Sequence, residues 1–231
     1  GLFAGVGGVT NVIEYITIAT TGNTTDFGDL TTARYSSSGV SNGILGVFCG
    51  GSSLQNIIEY ITIQTTGNAT DVGDLTTGRG FAGGMSNNTR GVYAGGYTSG
   101  WATTSPIDYF TIATTGNASD FGDLLLATAE TDACSDTSRG VITGGYTSGG
   151  RTNTLQYITI ATTGNALDFG DLVTAKDSVG SCANSTRGMA GGGGMPYESS
   201  INYFTIATTG NASVFGDLSS GTYQTRALSG D

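Results

Sequence analysis

Apolar and polar residues alternate with period two in five short runs along this chain. They are I-E-Y-I-T-I (13–18), I-E-Y-I-T-I (58–63), I-D-Y-F-T-I (107–112), L-Q-Y-I-T-I (155–160) and I-N-Y-F-T-I (201–206). Period two puts alternate side chains on opposite faces, as a half-buried strand requires. A T-T-G-N turn follows each run, with glycines Gly22, Gly67, Gly116, Gly164 and Gly210 at intervals of 45, 49, 48 and 46 residues. The Gly-Asn pair suits a tight hairpin that needs positive φ. Next comes a short apolar segment: D-F-G-D-L (26–30, 120–124, 168–172), D-V-G-D-L (71–75) or V-F-G-D-L (214–218). Ahead of each alternating run lies a strand ending in glycines, such as V-Y-A-G-G (92–96), and ahead of that a run of small residues, such as F-A-G-G-M-S-N-N (81–88). Each unit therefore reads as four strands. The tyrosine column Tyr15, Tyr60, Tyr109, Tyr157 and Tyr203 is expected to pack between repeats.

A repeat of this length cannot bury its apolar face alone, so neighbouring units must stack. Four antiparallel strands repeated five times predict an all-β, five-bladed β-propeller, with a solenoid as the alternative. The chain ends decide between them. Residues 1–8 align with a second strand, and T-Y-Q-T-R-A-L-S-G-D (222–231) aligns with a first strand. That split lets the C-terminal strand join the N-terminal blade and close a ring, whereas a solenoid gains nothing from it. The predicted single domain has blade 1 split over 222–231 and 1–30, and blades 2 to 5 over 31–75, 76–124, 125–172 and 173–218. The innermost strands carry small residues, including S-S-S-G-V-S (36–41) and G-S-C-A (180–183), as a narrow axis demands.

A strand ending in G-G, then an alternating strand with a central aromatic, then a turn and an outer aromatic, resembles the kelch motif over essentially the whole chain. It appears as V-F-C-G-G (47–51), V-Y-A-G-G (92–96), V-I-T-G-G (141–145) and, less regularly, M-A-G-G-G (189–193). The outer aromatic departs from that motif: Phe27, Val72, Phe121, Phe169 and Phe215 stand where kelch repeats usually carry Trp. The finer wording, Y-I-T-I-A-T-T-G-N-A-x-D-F-G-D-L followed by S-T-R-G-V, is similar to repeats in virion structural proteins of marine tailed phages. That resemblance implies a virion or extracellular location, with other virion or assembly proteins, or the chain itself, as partners.

Composition narrows the functional classes. Forty glycines and two prolines argue against helices, and only 11% of residues are charged. The net charge of −10, with eight Lys and Arg in all, disfavours nucleic acid and anionic membranes. No apolar run approaches the ~18–20 residues of a spanning helix, so no membrane insertion is expected. The chain opens on Gly1, as expected of a processed product or a piece of a longer protein. Cys49, Cys134 and Cys182 form no C-x-x-C pair and read as small packing residues. With no histidine, Ser-His-Asp and Cys-His arrangements and most zinc sites are out of reach.

The remaining candidate chemistry is thin. The repeated Asp29, Asp74, Asp123, Asp171 and Asp217 are the best candidates for calcium, but turn aspartates that accept backbone N–H bonds explain them better. The N-x-[ST] sequons at Asn23, Asn68, Asn87, Asn117, Asn184 and Asn211 mostly coincide with turns that already need Asn. No cofactor, metal site or catalytic constellation is expected. The loop between the second and third strands varies most: 97–106, 146–154 and 195–200 carry the only Trp and several Tyr. Variable loops on a repeated scaffold are where recognition usually sits. Tyr97, Trp101, Tyr146, Arg151 and Tyr197 are therefore the candidate ligand-contacting residues, with a host-surface glycan as candidate ligand. Arg34, Arg79 and Lys176 are expected on the same face. The expected function is a non-enzymatic virion structural or fibre protein that uses the propeller as a rigid receptor-binding module. A lectin-like propeller is the alternative and an enzyme the third reading.

Overall fold

The computed structural model describes residues 1–5, 8–194 and 196–227. Five small antiparallel sheets stand in a ring, forming a five-bladed β-propeller. Within each blade the strands follow chain order from the axis outward. Blade 3, for example, comprises Gly83–Ser86, Arg90–Ala94, Pro106–Thr111 and Ser119–Asp123. Blades 2, 4 and 5 start from inner strands Ser38–Ser41, Asp132–Ser135 and Gly180–Ala183. Blade 1 is described as three strands, Leu2–Ala4, Thr10–Tyr15 and Thr25–Arg34.

The chain enters each of the four described inner strands through one residue at positive φ, Ser36, Phe81, Glu130 and Ser178, and Gln224 takes the same angle, all five between 50° and 61°. Gln224 thus repeats the geometry that starts blades 2 to 5. The residues after it run beside Gly180 of blade 5, and Ala227 shares the axial cavity with Leu2. The rest of the strand expected over 222–231, residues 228–231, lies outside the described residues.

Each outer strand carries a bulge where its pairing with the third strand slips, at Ile58/Glu59, Ile107/Asp108 and Leu155/Gln156 among others. The glycine of D-x-G-D takes positive φ there, 146° at Gly28 and 143° at Gly122. This turns the preceding carbonyl outward, and the T-T-G-N turn of the next blade binds it. Gly67, Gly116, Gly164 and Gly210 donate their N–H groups to the carbonyls of Phe27, Val72, Phe121 and Phe169, each at 2.7 Å. Two residues on, Ala69, Ala118, Ala166 and Ala212 donate to Asp29, Asp74, Asp123 and Asp171 at 2.8 Å. The Asn side chain completes the clasp by accepting the N–H of the same Asp, as Asn165 does from Asp123 at 3.0 Å. The repeated turn is therefore the joint between blades, and behind each of four joints lies one apolar cluster.

Two expectations change in detail. The tyrosine column packs mainly within its own blade, edge-on to the outer aromatic: Tyr109 on Phe121 at 6.0 Å and Tyr157 on Phe169 at 5.9 Å. Arg90 and Arg139 cover Tyr109 and Tyr157 at 4.3 and 4.4 Å. They then reach the next blade by donating to the carbonyls of Ile160 and Ile206. Arg34, Arg79 and Lys176 are not displayed on the loop face but are completely buried. Each links the segment entering a blade to that blade's third strand. Arg34 pairs with Glu59, Arg79 with Asp108 at 3.1 Å, and Lys176 donates to Ser200 Oγ at 2.7 Å. A charge taken out of water needs such partners. Burial lowers the Lys176 pKa, opposed by Glu198 and Asp217.

Residues from all five blades line an axial cavity of about 420 Å3, open to solvent and bounded mostly by small side chains, with Leu2, Phe48, Ile63 and Met85 among them. Toward the loop face it continues as a space of about 510 Å3 bordered by Asp132 and Arg226. Asp132 accepts the N–H groups of Ser181 and Ala133, yet burial pushes its pKa up to about 6 against those bonds and Arg226. The native state thus holds this proton more tightly than the unfolded chain. The contribution of Asp132 to stability is fullest below about pH 4 and is lost as pH rises through about 6. Asp132→Ser, which copies Ser38 of blade 2, should gain ~3 kcal/mol relative to wild type between about pH 4 and pH 7 in urea titrations. A pH-independent difference would refute this account.

Candidate functional site

The loop of residues 97–106 folds as a short hairpin, Tyr97–Thr98 with Ala102–Thr103, around a 3-10 turn at Ser99–Trp101. Trp101 sits at the tip with positive φ and stays 66% exposed. Its ring is nonetheless held: Tyr97 lies 5.4 Å away edge-on and Phe81 5.8 Å away. Phe81 in turn touches Tyr97 and Tyr35. Four aromatics therefore make one rigid ridge, of which Trp101 is the accessible crest. Tyr97 itself is buried, and its phenol donates to Glu130 Oε1 at 3.3 Å.

Glu130 joins this ridge to the rest of the face. Its other oxygen accepts the Ser178 hydroxyl at 2.9 Å and the Tyr223 phenol at 3.2 Å. Tyr223 lies 6.2 Å from Tyr197, which is exposed. Tyr146 is also exposed, and its backbone pairs with Ala129, the neighbour of Glu130. Opposite Tyr146 on the same hairpin, Arg151 pairs through Nε with Asp177 at 3.1 Å. All five sequence candidates thus belong to the loop face. Tyr97 and Trp101 touch, Tyr146 and Arg151 are cross-strand partners, and Tyr197 reaches the group through Tyr223.

Sequence reasoning missed Phe81, Glu130, Ser178 and Tyr223. Three of these are, and Tyr223 adjoins, the positive-φ residues that start the inner strands. They recur at the repeat spacing, which is the signal that was available. Burial raises the pKa of both Tyr97 and Tyr223, and the Glu130 carboxylate adds to the rise in each. Both phenols therefore stay neutral donors.

The arrangement offers flat apolar surface beside a carboxylate and hydroxyls, which suits binding. Burial raises the thiols of Cys49 and Cys134 and keeps them protonated. Among the described residues no cluster of three metal-ligating side chains occurs; turn N–H groups are accepted by Asp71 and Asp120, three residues ahead of the repeated aspartates, of which Asp123 and Asp217 accept the hydroxyls of Ser105 and Ser199. Fold and site together define a β-propeller with an aromatic loop face. No protein-family model matches the chain, and neither does any curated protein.

Proposed function

We propose that this propeller is a non-enzymatic recognition module that presents its variable-loop face to a carbohydrate surface. The observation that carries the reading is the exposed yet immobilised Trp101, locked by Tyr97 and Phe81. A fixed aromatic loses little conformational freedom on contact, so its burial converts efficiently into affinity. Trp101, Tyr146 and Tyr197 supply faces on which a sugar ring can stack, and Glu130 with its hydroxyl neighbours supplies hydrogen-bonding capacity beside them. The kelch-like wording of the repeats and their similarity to phage virion repeats favour a fibre or decoration protein, placed on a virion or another extracellular surface. The net charge of −10 supports neutral or basic partners over nucleic acid.

Glycan-array binding, followed by attachment assays on the glycans retained, tests this. Trp101→Ala is expected to weaken binding by about 2 kcal/mol, the usual scale for an anchoring aromatic. Tyr146→Ala should act in the same direction, and both should leave the thermal midpoint nearly unchanged because both side chains are exposed. Binding that survives both substitutions would remove the loop face as the site.

A further inference from the structure

Four of the five joints are clasped; at the joint between blade 5 and blade 1 the residues of both halves are present but not engaged among the described residues, and neither Gly216 nor Gly22 takes the positive φ of its four counterparts. On blade 5, Phe215 is 54% exposed where Phe27, Phe121 and Phe169 are buried. Gly216 faces open space, whereas Gly28, Gly73, Gly122 and Gly170 each meet the turn of the next blade. Arg187 stacks on Tyr203 at 4.6 Å as Arg90 and Arg139 stack on their tyrosines, but no next-blade carbonyl receives it. On blade 1, the Gly22 N–H and the Asn23 side chain have no partner among the described residues, unlike their four counterparts. Ile18 is 68% exposed where Ile112, Ile160 and Ile206 are buried. Among the described residues no apolar cluster joins blade 5 to blade 1.

We propose that these two faces dock head-to-tail onto a second copy of this chain. The T-T-G-N turn of blade 1 in one copy clasps the Val214–Asp217 edge of blade 5 in the next. The occupant is specified by continuity with the four internal joints, which show what each half accepts: the other half of the same repeat. Solvent-facing sheet edges usually carry charge or proline to prevent pairing. This edge instead keeps Val214 and Phe215, and the facing blade keeps Ile18, so both retain the apolar side chains of an interface. The two faces differ from each other, so the contact is heterologous, and a heterologous contact that does not close builds open-ended assemblies. In the docked joint Arg187 of one copy donates to the Ile18 carbonyl of the next, and the Gly22 N–H to the Phe215 carbonyl. The proposal is independent of what the loop face binds.

Sedimentation over a wide range of concentration tests it, using Ile18→Asp and Phe215→Asp. Both positions are exposed in the single chain, so both variants should fold, with circular dichroism as the check. Wild type is expected to gain mass with concentration, and each variant alone to remain a monomer. An equimolar mixture of the two should form a one-to-one complex, because the intact blade 5 of the Ile18→Asp chain meets the intact blade 1 of the Phe215→Asp chain. A wild type that stays monomeric at every concentration overturns the proposal, and would mean that blade 1 closes on its own blade 5 or that both faces remain in solvent. So does a mixture that stays monomeric, or association that survives either substitution alone.

Discussion

Arg79→Ala is expected to destabilise the propeller by ~3–5 kcal/mol, the usual cost of removing one partner from a buried ion pair. The Arg79 guanidinium has no solvent exposure, and every nitrogen on it is used. Nε donates to Gly95 O at 2.8 Å, Nη1 to Asp108 at 3.1 Å and Thr77 O at 3.3 Å, and Nη2 to Tyr93 O at 3.2 Å and Pro106 O at 3.3 Å. Truncation would remove a donor from four carbonyls, of which Pro106 O keeps the Gly95 N–H, and leave Asp108 as a buried charge supported only by Thr76. Lysine cannot substitute, because one ammonium does not reproduce the planar fork. The chain contains its own control. Blade 4 fills the same two positions with Thr128 and Gln156, which hydrogen-bond at 3.3 Å without any charge. Arg79→Thr combined with Asp108→Gln should recover about half of the loss, since coupled neighbours are not additive. Urea unfolding of the three variants measures this. A double variant no better than Arg79→Ala would show that the carbonyl contacts, not the charge, dominate.

The second large effect is Gly122→Ala, expected to cost ~3 kcal/mol through backbone strain and the lost clasp. An added Cβ would lie 2.5 Å from the Gly164 carbonyl oxygen and 2.6 Å from its carbon, at a φ of 143° that other residues avoid. Neither side can yield, because the obstacle is the backbone of the turn bound there. Gly216→Ala makes the same change at the equivalent position of blade 5, where nothing lies within 4 Å and the backbone is outside the positive-φ range of Gly122. It should shift stability by no more than ~0.5 kcal/mol when measured on dilute, monomeric protein. Equal costs at the two sites would refute both the strain and the clasp as the source of the penalty.

The strand count, the order of strands within a blade and the small residues at the axis were legible because periodicity and side-chain size act locally. The role of T-T-G-N was not. A Gly-Asn turn has the same local chemistry whether it faces water or the bulge of a neighbouring blade, and Phe27 and Gly67 lie 40 residues apart. Arg34 and Arg79 read as surface residues because lone bases usually are. Their acceptors, Glu59 and Asp108, are 25 and 29 residues further on. The clue was the matched variation of two columns: carboxylates where the base is Arg, Gln156 where it is Thr128 and Asn202 where it is Lys176. In the loop face, Trp101 and Tyr97 stood out by type. Glu130 and Phe81 did not, because what distinguishes them is a backbone angle that neither residue type favours.

Because every repeat carries both a bulged outer edge and the turn that grips such an edge, a duplicated blade arrives with its joints already made. Copying one unit within a gene needs no new interface to be invented, only room around the axis. Each clasp also spans a little less than one repeat, from 39 residues between Asp29 and Asn68 to 43 between Asp74 and Asn117. A chain emerging from a ribosome can therefore lock each blade onto its predecessor as soon as the next turn appears. Growth by short, identical steps makes the number of blades a matter of geometry more than of recognition.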